Sequence, residues 1–383
     1  MGASPLTSVI GRKILNTTHS IGIIMATTDF PVGSPHAVKL WSKKIAREAL
    51  KETMASKFMG TSSNNLIQVF DDTSKGAGDR IRVPLRMQLS GRGVGETEAL
   101  EGNEESLSIY YDDVLINEVT HAVRMKVTID AQRVPFSVRE EARLGIQDWY
   151  SERFDQAVAN QLTGNTDQTD SLYTGQNTAI APSSGTGADR RWIIRQQDDE
   201  TDHSTEASLS SSDTFSLKLL DRAVAIAKTS SPLIRPIKVG SQSYYVAFLH
   251  PYQVKDLRTS TNTGDWLDIQ KAALGGGDVE SNPIFTGALG VYNGVVLHEW
   301  TRLPTAATGA NRANTRRAVF CGAQACSMAW GQGNSETPKY VEDLFDYDRQ
   351  FGVSVQSIFG AKKLQFNSKD FGTIVMSTWA SAP

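Results

Sequence analysis

Residues 89–111, LSGRGVGETEALEGNEESLSIYY, place Gly91, Gly93 and Gly95 at every second position, with Arg92 between, and follow them with Glu96, Glu98, Glu101, Glu104 and Glu105. Glycines so spaced can cradle a phosphate when a buried strand precedes them and a helix N-terminus follows. Neither flank fits. Residues 81–89, IRVPLRMQL, alternate strictly, as a strand with one wet face does, and Pro84 lacks an amide donor, which marks an edge. Beyond the glutamates Leu107, Ile109 and Tyr111 alternate again. The sixth position of the dinucleotide fingerprint is Glu96, and the lysine and Ser/Thr of the phosphate loop are missing. The glycines therefore belong to a turn between two strands, and a nucleotide-dependent enzyme using them is kept as an alternative.

The remaining reactive residues form no constellation. His19, His36, His121, His203, His250 and His298 are scattered, without the i, i+3 or i, i+4 spacing of helical metal ligands. Gly240-Ser241-Gln242-Ser243-Tyr244 resembles a nucleophile elbow but ends in tyrosine where glycine is required. His250-Pro251 reads as a rigid turn after a strand. The acidic run 198–203 lacks the alternating ligands and central glycine of a calcium loop. Cys321 and Cys326 are expected to be small buried thiols of a chain folding in a reducing compartment. No catalytic residue, metal or cofactor is expected.

The elements that carry these residues are legible from periodicity. At 383 residues the chain can build two or three folding units. A net charge of -3 argues against a dedicated nucleic-acid grip, and no stretch is apolar for the length of a membrane span, so a soluble, unexported chain is expected. Residues 1–60 read as an arm with a helix capped by Ser34 and Pro35, whose basic face carries Lys39, Lys43, Lys44 and Arg47. Residues 61–130 hold the long hairpin, which at about 3.4 Å per residue spans roughly 30 Å and, being marginal alone, must lie on something else. Ser137 and Glu140 form a capping box for a helix of close to 40 Å that ends at Gly164, with a stripe of Ala142, Ile146, Trp149, Tyr150, Phe154, Val158 and Leu162. Residues 165–213 read as a long polar surface insertion, 214–330 as a compact mixed unit, and 331–383 as closing strands that turn at Gly360-Ala361-Lys362 and pair with one another beside the long helix.

This order of parts resembles the major capsid proteins of tailed phages, the HK-ninety-seven-type α+β fold shared with encapsulins. The segments IRVPLRMQLSGRGVGETEALEGNEESL, INEVTHAVR, NPIFTGALGVYNGVVLHEW and GVSVQSIFGAKKLQFNSKDFGTIVMST are similar to the coat-protein family of N-four-like podoviruses and extend over roughly residues 35–380. The resemblance implies an N-terminal arm (1–60), an extended loop (61–130), a peripheral domain with spine helix (131–213), an axial domain (214–330) and peripheral closing strands (331–383). It implies a shell of hexamers and pentamers around double-stranded DNA, touched weakly and non-specifically, assembled in the host cytoplasm and carried in the virion. Portal, scaffold and decoration proteins are the other expected partners, and no membrane is. An encapsulin-like compartment with protein cargo is the alternative within the fold. The tip, Gly91 to Glu105, and the arm's basic face become subunit interfaces. Residues 1–60 hold eight Lys/Arg against three Asp/Glu, a balance of +5, whereas 61–130 hold seven against twelve, a balance of -5. Opposite local charge favours register and encounter between arm and loop.

Overall fold

The computed structural model describes residues 54–70, 78–125, 137–197, 201–259, 288–305, 312–331, 338–347 and 349–382. The expected arm helix, with Lys39, Lys43, Lys44 and Arg47, lies outside the described residues. In chain order the strands begin with β1 (Met59–Gly60), β2 (Ile67–Phe70), β3 (Arg80–Arg86), β4 (Ile109–Leu115) and β5 (Asn117–Arg124). Helix α1 (Val138–Thr163) follows, then β6 (Trp192–Ile194), α2 (Leu217–Thr229), β7 (Ile237–Val239), β8 (Gln242–Leu249) and α3 (Pro251–Thr259). The chain continues with β9 (Gly290–Tyr292), β10 (Val295–Glu299), β11 (Thr315–Cys321), β12 (Cys326–Trp330) and β13 (Lys339–Phe345). It closes with β14 (Gln350–Lys363), β15 (Gln365–Phe366), β16 (Lys369–Asp370) and β17 (Thr373–Trp379).

Two sheets share one core. The first runs β1-β2-β12-β14-β13, with β5 on the other side of β14; the second runs β6-β17-β11-β8-β10-β9, with β7 added to β8. In the second sheet Val246, Phe248, Val319 and Cys321 face the first sheet and α1, while Tyr245, Ala247, Leu249, Ala318 and Phe320 face α2. Both faces are therefore covered, which is why YYVAFLH reads as a continuous apolar run rather than an alternation. Helix α1 opens as expected: the Ser137 side chain accepts from the Glu140 amide, and Gly164 closes the helix in the left-handed conformation. Its stripe enters the core through Ile146, Tyr150, Phe154, Val158 and Leu162, and Tyr150 donates to Ser357 of β14 at 2.9 Å. Trp149 departs from the expectation. It packs against the cluster that includes Val353 and Val355 of β14, but it is only half-buried and its outer side stacks on His121 of β5 at 4.4 Å.

Two further readings are corrected. Strand β14 runs unbroken through Gly360-Ala361-Lys362, pairing with β13 and β5 along its first part and with β12 at its end. Glycine stands at 360 not to turn the chain but because a Cβ there would lie 1.8 Å from the Leu115 carbonyl oxygen. Strand β17 leaves that sheet altogether and pairs with β11 of the other. Residues 165–213, moreover, do not form a surface insertion. Strand β6 extends the second sheet in parallel with β17, and Glu206, 3 % exposed, forms a bidentate ion pair with Arg317 of β11 at 2.8 Å. Arg317 also donates to the Gly164 carbonyl at 2.8 Å, closing the end of α1. Part of the polar composition in this segment belongs to buried groups such as Asn177, Arg191, Glu206 and Asp213.

Candidate subunit-interaction site

The β3–β4 ribbon is a two-stranded sheet of its own, registered from Arg80 opposite Leu115 to Arg86 opposite Ile109. Alternation gives it two unlike faces. Ile81, Val83 and Val114 point down onto Ala329, Leu364, Phe366 and Phe371 of the same chain, so the support the hairpin needs at its base is internal. Polar ties fix that base. Lys362 forms an ion pair with Asp112 and donates to the Asp113 carbonyl at 2.9 Å, while the other Asp112 oxygen accepts from the Gln365 amide at 3.0 Å. Buried Asn177 accepts from the Leu115 amide at 2.9 Å and donates to the carbonyls of Leu115 and Ala361 at 3.0 and 3.1 Å, clamping the exit of β4 to β14. Nothing in the residues around Asn177 distinguishes this role; the signal lies only in the tertiary pairing.

Above the base the ribbon leaves the body. Beyond the Met87 amide bond to Ser108, residues 89–108 carry no ladder and are almost wholly exposed. The loop holds its shape with its own acids. The Glu105 carboxylate accepts from the Ser90 amide at 2.9 Å and the Gly91 amide at 2.6 Å, and these bonds hold its pKa below the usual carboxylate range. A Cβ on Gly91 would lie 2.8 Å from that carboxylate, so a larger residue there would make the Glu105 side chain shift. Glu98 receives Arg92 at 2.6 and 2.7 Å and the Gly95 amide at 3.3 Å, and its pKa is likewise lowered, Arg92 being the main cause. Glu104 accepts from the Gly102 amide at 2.7 Å. Glu96 and Glu101 make no such bond among the described residues. The amides of a phosphate cradle at Ser90 and Gly91 are thus already occupied by an internal anion, and no helix begins behind them.

The outward face of the ribbon, which periodicity alone did not single out as a site, carries Arg80, Arg82, Pro84 and Arg86 from β3 and Ile109, Tyr111 and Leu115 from β4. Arg82 spans Asp113 at 2.8 and 3.0 Å and lies over the Tyr111 ring at 4.2 Å. Ile109 and Tyr111 remain about 60 % exposed, at 59 % and 61 %. Beneath the neck, a cleft of ≈ 500 Å³ opens between Leu85, Leu89, Pro232, Leu233 and Phe371.

Among the described residues no cluster of His, Cys, Asp or Glu could hold a metal ion, and no helix is long and apolar enough to cross a membrane. Cys321 and Cys326 are free and buried, and burial pushes the Cys326 thiol up to about 12. His203 pairs with Asp213 at 3.1 Å and Asp202 with Arg190 and Arg222, which accounts for the described part of the acidic run.

A profile described as phage capsid protein matches residues 29–382. The chain is 29 % identical over 366 residues to the major capsid protein of Pseudomonas phage KPP25, covering 88 % of this chain and 93 % of that one. The capsid of Ralstonia phage GP4 superimposes with a TM-score of 0.77 at 30 % identity, over 92 % of this chain and 97 % of that one. The capsid asymmetric unit of cyanophage Pam1 does so with a TM-score of 0.71 at 24 % identity, over 93 % and 100 %.

Proposed function

The chain belongs to the phage capsid protein family, with the HK-ninety-seven-type fold, and we propose that its extended loop clasps a neighbouring subunit in an icosahedral head enclosing double-stranded DNA. It is a structural component of a virion that self-associates into a shell. The observation that carries the loop assignment is its division of labour: the base is welded to its own subunit through Val83, Val114 and Asn177, while the tip is stiffened internally and makes no hydrogen bond or ion pair outside the loop among the described residues. A self-shaped, unsupported loop is suited to a partner surface.

In this reading Gly91, Arg92, Gly93 and Gly95 form the tip with Glu98 and Glu105 as its braces, and Glu96 and Glu101 face the neighbour. Lys39, Lys43, Lys44 and Arg47 of the arm supply a basic surface for them. The peripheral domain centres on α1, β14, β13 and β5, and the axial domain on β8, β10, β11 and α2, with β17 returning to it. Near-neutral net charge suits a container, since a strongly basic inner wall would grip its cargo. Portal, scaffold or decoration proteins, assembly in the host cytoplasm and a place among N-four-like coat proteins complete the proposal, and no catalytic step is assigned.

Deleting residues 91–102 tests the loop assignment. Circular dichroism should show an unchanged fold and sizing should show subunits that no longer form shells, because the deleted residues belong to none of the hydrophobic clusters of the described core. A deletion variant that still closes shells would remove the loop from the assembly mechanism.

A further inference from the structure

The cleft beneath the ribbon neck has a strand edge for one wall. Strand β3 pairs with β4 alone, and the Met87 amide donates to the Ser108 carbonyl at 3.0 Å, so alternation turns the amides and carbonyls of Arg86 and Gln88 to the unpaired edge. Both residues line the cleft of ≈ 500 Å³. Pro84, without an amide hydrogen, ends this run of open groups toward the base. Leu85, Met87 and Leu89 add an apolar side, and Pro232, Leu233 and Phe371 complete the lining from the body. Leu89 is 58 % and Leu233 52 % exposed. An open strand edge beside apolar sockets is the arrangement by which a sheet takes up an extended peptide.

The surrounding charge is positive. Arg235 lines the cleft and donates to Gln324 at 3.1 Å, and exposed Arg86 stands at the rim without an ion pair among the described residues. Behind the wall, fully buried Arg191 donates to the carbonyls of Pro232 at 2.9 Å and Asp370 at 3.0 Å, and its remaining nitrogen, Nη1, has no partner among the described residues. The neighbouring acids are mostly matched: Asp189 pairs with Lys369 at 2.7 Å and Asp370 with Lys363 at 3.0 Å. Glu105, bound to the Ser90 amide at one end, is the acid left against the three arginines.

We infer that this cleft receives an extended acidic segment of a different protein, adding to the β3 edge at Arg86 and Gln88, seating apolar side chains between Leu89 and Leu233, and facing Arg235 with its acids. The acidic projections of this chain do not supply such a segment. The loop tip is turned by its own bonds, from the Glu98 amide to Gly95 at 3.1 Å and from the Asn103 amide to Leu100 at 3.0 Å, and Glu98, Glu104 and Glu105 are held within it. On the β13–β14 hairpin, Glu342 pairs with Arg139 and Asp346 with Arg349, while Arg124 covers the Phe345 ring. The inference adds a partner to the shell-forming reading without resting on it.

The experiment titrates the purified full chain into a fluorescein-labelled peptide of alternating glutamate and valine, about six residues long as a strand commonly is, and follows fluorescence anisotropy. Saturable binding is expected, weakened at least about tenfold by Arg235→Glu and by Leu233→Ser, with subunit melting unchanged and with no binding of a peptide alternating lysine and valine. No binding to the wild type, equal binding of the lysine peptide, or wild-type affinity in both variants overturns the proposal. Displacement of the probe at equal concentration by an unlabelled peptide of residues 94–107 hands the cleft to a second copy and overturns the assignment to a different protein. Should either variant not fold, exposed Arg86→Glu takes its place, with the same loss expected and wild-type affinity contrary. Particles formed by a chain that does not bind the peptide overturn this inference alone, and binding by a chain that forms no particles overturns the shell reading alone.

Discussion

A single buried carboxylate, Asp155 of α1, ties three parts of the chain together. One oxygen accepts from the amides of Met54 and Ala55 at 3.0 and 2.9 Å, where the N-terminal segment joins the body, and the other accepts from the Trp300 indole at 2.7 Å. Burial raises its pKa against the opposing pull of these donors. Asp155→Ala would strand three buried donors and should cost about 3 to 5 kcal/mol of subunit stability in chemical denaturation, the range for breaking a buried polar network. Because the folded pKa is raised, the native state keeps this proton longer than the unfolded chain, so the group favours folding most below the unfolded range near about pH 4 and less as pH rises through the raised value. Asp155→Asn should remove that slope from a stability-pH profile, and an unchanged slope would assign it to another group. Hydrophobic residues on the same helix separate by depth. Phe154→Ala should cost about 3 to 5 kcal/mol, whereas Trp149→Ala, half-exposed on His121, should cost clearly less. Equal losses in thermal or urea melts would mean that the face of α1 is misassigned.

At the scale of elements, periodicity revealed α1, the wet and dry faces of β3 and the paired runs around the glycines, since each is a local consequence of one covered face. What it missed was non-local. Gly360 looks like a turn because nothing nearby reveals Leu115 pressing on it, and residues 165–213 look solvated because Glu206 and Arg317 are 111 positions apart. The glutamates show the same limit: composition suggested five docking acids, but the structure commits Glu98, Glu104 and Glu105 to the loop itself. Exposed ion pairs are worth only about 0 to 1 kcal/mol each and are screened within about 8 to 10 Å, yet a lattice repeats them. Replacing Glu96 and Glu101 by glutamine should slow assembly and reduce its salt dependence, as followed by light scattering at two ionic strengths. Glu105→Gln should instead speed amide exchange at Ser90 and Gly91 in the unassembled subunit. Identical assembly kinetics for wild type and the Glu96/Glu101 variant at both salt concentrations would reduce those acids to solubility.

For the whole molecule, the two sheets and α1 share one buried core from which a ribbon and a hairpin project, each carrying exposed apolar and charged side chains. The exposed ends of these projections make few contacts with the described core, which makes the arrangement of copies the decisive observable for the proposed interface. Electron cryomicroscopy of particles assembled from the purified chain tests this most directly. Closed icosahedral shells of hexamers and pentamers are predicted, with residues 91–105 lying across an adjoining subunit. Shells in which that loop folds back on its own subunit, or a chain that stays monomeric under all assembly conditions, would contradict the account.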